Sequence, residues 1–185
     1  HLNTGFLSTP YILHVLAEHG HRETAYRLLE QETFPSWLYA VTKGATTIWE
    51  SWRGIEPDGK RSGSFNHYAY GAVCDFLFSY VAGIRPAQEH PGYKHFLLRP
   101  LPGGTLQYAR ATYESLYGTI VSEWRILDDK RMKYRFVVPP NTTATIMLPG
   151  KENDLHQIDS KYKARYEEGS IQFTVGSGQY QFIMQ

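Results

Sequence analysis

The stretch Gly44-Ala45-Thr46-Thr47-Ile48-Trp49-Glu50-Ser51-Trp52 sets a carboxylate between two tryptophans, just beyond an expected helix end. An indole offers a flat apolar face that can cover a sugar ring, and a carboxylate beside it can bond hydroxyls or polarise a water. The plain alternative for the same residues is a pair of core tryptophans beside a surface glutamate. A little downstream, Ser64-Phe65-Asn66-His67-Tyr68 forms a second polar and aromatic cluster at a loop-to-helix junction. The two clusters together point toward a carbohydrate site.

Within them, Glu50 is the candidate catalytic carboxylate, with a glutamate tied up by backbone amides at a loop start as the bland alternative. His67 is the candidate sugar contact, because an imidazole at a helix start can donate to a hydroxyl. Its alternative is simple capping of that helix by His67 and Asn66, and Asn66 is the expected cap. Trp49 and Trp52 cannot both face one ring in an extended segment, because residues an odd number apart point to opposite sides. Trp52 is therefore the stacking candidate, and Trp49 and Trp37 are assigned to the core. Glu56 and Asp58 belong to a solvated turn, Ile55-Glu56-Pro57-Asp58-Gly59, and Glu30 and Glu32 read as surface charge at the end of an amphipathic helix.

Other chemistries find little support. His14, His19, His21, His90, His95 and His156 show no paired spacing with a carboxylate that would suit a metal, and His19-Gly20-His21 reads as a helix end, where cations are favoured. Pro102-Gly103-Gly104 and Gly176-Ser177-Gly178 lack the strand–glycine–helix context of a phosphate loop, so neither a nucleotide nor another cofactor is expected. The single Cys74 lies in an apolar helical run; it cannot form an internal disulfide and reads as a small buried hydrophobe.

The elements that must position these residues are helical in the first half. Thr9 is a plausible N-cap with Pro10 at the first helical position, followed by Ile12, Leu13, Leu16 and Ala17 at helical spacing, and Gly20 as the stop. A second helix is expected over about 23–31. A third runs from near Pro35-Ser36 through Trp37, Leu38 and Val41 to Lys43-Gly44, and a fourth spans about 67–81 and stops at Gly83. Residues 50–66 form a long connection rich in Gly, Ser and charge, of the kind that often carries function.

From Phe96 the pattern turns toward period two, with strands expected over 106–113, 119–127, 133–138, 143–148, 170–175 and 179–184. Asp128-Asp129, Pro139-Pro140-Asn141 and Gly176-Ser177-Gly178 supply the turns. Six or seven short strands in under 100 residues suggest an antiparallel sandwich. The bulk composition fits: 185 residues, 42% hydrophobic, 20% charged and 15% aromatic, with a net charge of +1. That balance gives no reason to expect nucleic acid or an anionic membrane as a partner, and no run of 18 apolar residues occurs.

His1-Leu2-Asn3-Thr4-Gly5-Phe6-Leu7, Pro35-Ser36-Trp37-Leu38-Tyr39, Gly44 to Glu50 and Phe65-Asn66-His67-Tyr68, in this order and at close spacing, resemble the C-terminal end of bacterial α-L-rhamnosidases of glycoside hydrolase family 78. The likeness runs to about residue 125 and thins beyond. It implies an α+β chain in two parts: residues 1–85 as the last helices of an (α/α)6 barrel, and residues 93–185 as a C-terminal antiparallel β-sandwich. Most of the six-hairpin toroid would then lie upstream of His1, in the same polypeptide.

The resemblance also implies an inverting glycosidase acting on a rhamnose-containing glycoside or polysaccharide. Inversion needs an acid for the leaving oxygen and a base for a water on the opposite face, with the two carboxyl groups roughly 6.5–9.5 Å apart. Glu50, in its G-A-T-T-x-W-E context, resembles the family's base, and His67 its rhamnose-binding histidine. The acid would come from upstream, so the parent is expected to be an enzyme and this chain alone inactive. Two rival readings remain: a related barrel hydrolase acting on another sugar, and a noncatalytic carbohydrate-binding β-domain with Tyr108, Tyr113, Tyr117 and Trp124 as its platform. Those four aromatics more often pack a sandwich core.

Overall fold

A computed structural model describes residues 1–185, which divide into two compact units: His1–Phe76 with Gly103–Thr105, and Leu77–Pro102 with Leu106–Gln185. The first unit contains α1 (Thr9–Glu18), α2 (Arg22–Leu29), α3 (Trp37–Thr42) and the short α4 (Val73–Phe76), with a tight 3-10 turn over Ala69–Ala72 leading into α4. α1 begins one residue earlier than its expected cap allows. Ser8 precedes it without a side-chain cap, and Thr9 is the first helical residue, its buried hydroxyl donating to the Gly5 carbonyl at 2.9 Å. Gly20, at φ +81°, turns the chain from α1 into α2, a backbone conformation that other residues adopt only under strain.

The core of this unit is aromatic. Tyr26 is fully buried, against Phe76 at 6.2 Å between ring centroids, and Trp37, Tyr39, Trp49 and Tyr70 are buried with it. Burial pushes the Tyr26 phenol far above its ordinary value, because the phenolate would lose its hydration. Two expectations fail here. Glu30 is a tether rather than free surface charge: its carboxylate accepts from the Thr105 backbone N–H (2.9 Å) and hydroxyl (3.2 Å). Cys74 is exposed. At 100° per residue it lies about 200° around the helix from the fully buried Phe76, so the run's inward position is taken by the phenylalanine.

The second unit is two sheets. One has five strands in the order β1 (Ile84–Pro86), β2 (His95–Leu98), β6 (Thr143–Pro149), β8 (Ser170–Val175) and β7 (Arg165–Glu167). The other has four, in the order β3 (Tyr108–Ser115), β4 (Gly118–Ile126), β5 (Met132–Val138) and β9 (Gly178–Met184). All pairings are antiparallel except β2 with β6, where His95 to Leu98 run parallel to Thr143 to Ile146. Alternate residues turn inward, as in Tyr134, Phe136 and Val138 of β5, and Phe173 of one sheet meets Phe182 of the other at 5.1 Å between centroids. The result is a helical part followed by a β-sandwich.

The expected fourth helix is broken into a 3-10 turn, one turn of α-helix and a widened π-turn over Leu77–Val81. Within the second unit the carbonyls at its end are claimed from the sheet. Trp124 donates its indole N–H to Val81 (2.7 Å), Ser122 its hydroxyl to Ala82 (2.5 Å), and the Leu101 N–H goes to Tyr80 (2.9 Å). These carbonyls stand at the C-terminal end, where no intrahelical donor follows, so the sheet and the following chain satisfy them instead. Trp124 is fully buried, which removes it from any exposed binding platform. No helix of the chain is long and apolar enough to cross a membrane.

Candidate active site

Two of the residues singled out in the sequence, Glu50 and His67, come together around one backbone pairing. After α3, Ser36 caps the helix start by accepting the Tyr39 N–H, and Gly44 at φ +81° releases the chain into the 45–50 segment. That segment runs beside residues 64–67. Glu50 donates its N–H to the Ser64 carbonyl (2.9 Å), His67 donates its N–H to the Ile48 carbonyl (2.8 Å), and the Thr47 hydroxyl donates to the Phe65 carbonyl. The intervening loop closes on itself through the Ile55–Arg61 bridge and through Ser62 bonding back to Gly54. The 48–50 and 64–67 backbones are therefore clamped together at the foot of a hairpin-like excursion.

Glu50 is half-buried at this clamp. Its Oε2 accepts the Ser64 backbone N–H at 2.8 Å, and no protein donor engages Oε1. One oxygen fixes the carboxylate while the other stays open to a water. Trp49, next to it, is buried against Phe65 (5.2 Å, edge-on) and over Gly54, whose hydrogen stands where a Cβ would come within 2.6 Å of the indole.

His67 is also half-buried. Its Nδ1 accepts the Ala69 N–H at 3.2 Å. In the neutral ring the proton then lies on Nε2, which is the donor a sugar hydroxyl would need. Tyr68 stands at the N-cap position of the following 3-10 turn without a side-chain cap; the bond to that turn's first N–H comes from His67, and Asn66 instead bonds Ser64 through the serine hydroxyl. Phe6 and Tyr68 each stack on the imidazole at 5.1 Å. These two aromatics were not singled out as site residues, although Phe6 lies in the His1–Leu7 block and Tyr68 closes the Ser64–Tyr68 cluster; Tyr68 is 87% exposed.

Trp52 makes no hydrogen bond to Glu50 or His67 and is held by other partners. Its indole N–H donates to the Thr4 carbonyl (2.8 Å), one face stacks on Tyr70 (4.0 Å, 15°), and an edge meets Trp37 (5.2 Å, 84°). Only the exposed remainder of the indole is open to a ligand. Burial raises the Tyr70 phenol above its usual value, so this stack is neutral at physiological pH. Trp37, Trp49, Trp52 and Tyr70 also line an apolar crevice of about 270 Å³ beside α3, which neither Glu50 nor His67 borders.

Glu56 and Asp58 are held by their own turn. Glu56 lies 3.5 Å from the Arg53 guanidinium, and Asp58 accepts the Lys60 N–H. Neither converges on Glu50 through any bond in the structure.

Residues 1–81 match the bacterial α-L-rhamnosidase six-hairpin glycosidase domain, and residues 83–163 match the bacterial α-L-rhamnosidase C-terminal domain. The chain belongs to the bacterial α-L-rhamnosidase family. It is 45% identical to an α-L-rhamnosidase of Streptomyces avermitilis over its whole length, and 41% identical over 87% of its length to one from Formosa agariphila. It spans about 18% of the length of each of these relatives. The crystal structure of the Streptomyces avermitilis α-L-rhamnosidase complexed with L-rhamnose superposes with a TM-score of 0.89, covering 100% of this chain and 18% of that one. The α-L-rhamnosidase of Aspergillus terreus, at 33% identity, gives 0.85 over 98% of this chain and 19% of its own.

Proposed function

We propose that this chain supplies the base side of the active site of an inverting α-L-rhamnosidase, with the six-hairpin domain completed by polypeptide outside these 185 residues. In this reading Glu50 takes a proton from the water that attacks the anomeric carbon. His67 donates Nε2–H to a hydroxyl of the terminal rhamnose, and the exposed part of Trp52 borders the sugar. The general acid comes from outside the chain. The observation that carries this is the Glu50 carboxylate, pinned through one oxygen by Ser64 and open at the other.

A general base must be positioned first and be basic second. The backbone clamp meets the first need, and the carboxylate oxygen that no protein donor engages serves the second. The L-rhamnose bound to the Streptomyces avermitilis relative favours rhamnose over another sugar. A water between Glu50 and the sugar needs the wide carboxyl spacing of inverting enzymes, roughly 6.5–9.5 Å. Glu56 and Asp58 are each engaged within their own turn, which favours an acid from elsewhere.

The test is hydrolysis of p-nitrophenyl α-L-rhamnoside by the full-length protein, followed by proton NMR in the first minutes. Initial release of β-rhamnose supports the reading. Initial release of α-rhamnose would replace it with a retaining mechanism, and preference for another p-nitrophenyl glycoside would replace the substrate.

A further inference from the structure

The outer face of the four-stranded sheet concentrates positive charge on a chain that is nearly neutral. Strand alternation places Tyr108 and Arg110 of β3, Glu123 and Arg125 of β4, and Lys133 and Arg135 of β5 on the face opposite the buried Ala111, Trp124, Tyr134 and Phe136. The register sets them in two rows across the strands. Arg110 pairs with Glu123, which pairs with Arg135 and then Gln181; Tyr108 pairs with Arg125, then Lys133. Only Glu123 lies among the four cations, 3.9 Å from Arg110 and 3.7 Å from Arg135. Glu114, the other carboxylate of this face, is bonded at its far end by the Thr119 hydroxyl. Arg125 and Lys133 make no ion pair, and the Arg125 guanidinium lies 5.6 Å from the centre of the Tyr108 ring. The whole chain carries a net charge of only +1.

We propose that this face binds an extended carboxylate-bearing glycan, independently of the rhamnosidase reading. Charge complementarity selects an anion, and a guanidinium's planar fork matches a carboxylate with two parallel hydrogen bonds. Cations on neighbouring strands project from backbones about 4.8 Å apart on a sheet, so several acidic groups of one chain can be met without ordering a loop. Tyr108, 62% exposed, supplies an apolar surface for a sugar ring, and Gln181 a donor and acceptor for hydroxyls. An acidic protein is the weaker occupant: the exposed apolar side chains Tyr108 and Ile183 lie in one row at one end, leaving a charged centre where a stable protein interface is apolar.

Titration calorimetry of the full-length protein with galacturonate tetrasaccharide tests this, at about 20 mM and about 150 mM NaCl to change the screening. Maltotetraose and tetraglutamate serve as comparators. The expected result is saturable binding of the galacturonate, weakened at least about tenfold by the higher salt and about tenfold in Arg125→Gln/Lys133→Gln. Maltotetraose should not bind. Arg110→Gln is a second, single change that should weaken binding with the fold intact by circular dichroism. Absence of saturable binding at low salt overturns the proposal, as does equal affinity for both variants and the wild type. Equal affinity for tetraglutamate would assign the face to acidic peptides instead.

Discussion

Replacing Glu50 with glutamine separates the chemistry of the carboxylate from its place in the loop. Glutamine keeps the side-chain length and one oxygen, and that oxygen can accept the Ser64 N–H now taken by Oε2 at 2.8 Å. Exchanging a charged acceptor for a neutral one at that bond costs about 1 kcal/mol. The Glu50–Ser64 and His67–Ile48 backbone bonds are untouched. The melting temperature should therefore fall by no more than about 4 °C for a chain of this size. What disappears is the proton acceptor, since an amide cannot take a proton from water near neutral pH. General acid–base groups contribute about 10²–10⁴-fold, or about 2.7–5.4 kcal/mol at 1.36 kcal/mol per decade. The assay is p-nitrophenol release from p-nitrophenyl α-L-rhamnoside by the full-length protein, with kcat and KM determined separately. A fall of about a hundredfold or more in kcat, with KM nearly unchanged, is expected. A correctly folded variant with kcat within about fivefold of wild type would remove Glu50 from the mechanism, because no base of the stated strength could be lost so cheaply.

His67→Asn tests the sugar contact in the same assay. Asparagine can still cap the Ala69 N–H through its oxygen, as Nδ1 does now, but lacks the Nε2 donor; KM should rise about tenfold, the equivalent of one neutral hydrogen bond, with kcat changed less. An unchanged KM would leave His67 as a cap alone. Trp124→Phe tests the tie between the sheet and the chain entering it: the Val81 carbonyl loses its buried indole donor at 2.7 Å, which should cost about 1–3 kcal/mol beyond the lost packing in urea unfolding of this chain. A change below about 0.5 kcal/mol would mean that carbonyl finds another partner.

The regular parts of the fold were legible because their partners are local or periodic. β8 spans Ser170–Val175 as alternation and turns imply, and Ser36 caps α3 where the sequence places a helix start. The failures share a cause. β7, Arg165–Glu167, has three exposed residues and thus no pattern to read, and the parallel partnership of β2 with β6 is set by pairing across more than forty residues of chain. The chain at the end of the π-turn Leu77–Val81 is hydrogen-bonded by Ser122 and Trp124 from far along the sequence, which no local pattern announces. The site was legible as residue types and as a family resemblance. Its geometry was not: nothing in Glu50 or Ser64 alone announces that their backbones pair and that the serine N–H pins the carboxylate.

The orientation of Glu50 depends on its neighbour, and Gly54 exposes that dependence. Trp49 and Glu50 are consecutive, so any shift of the buried indole is transmitted through one peptide unit to the carboxylate. Gly54 lies outside the left-handed region, so alanine there carries no backbone strain; its Cβ would stand 2.6 Å from Cε3 of Trp49. That atom belongs to a ring 7% exposed and packed edge-on against Phe65, which leaves it little freedom to move aside. Overpacking of this kind costs about 1–3 kcal/mol. A misplacement approaching 1 Å at a reacting group can cost about 10²-fold, so even a shift of a few tenths should lower kcat severalfold in the full-length Gly54→Ala protein. Trp49→Phe, by removing the benzo ring that carries Cε3, should restore part of both losses when combined with Gly54→Ala. That coupling distinguishes positioning from general damage, because two independent destabilising changes would add. If Gly54→Ala lowers stability while kcat stays at the wild-type value, the carboxylate is held by Ser64 alone and the indole beside it is only core.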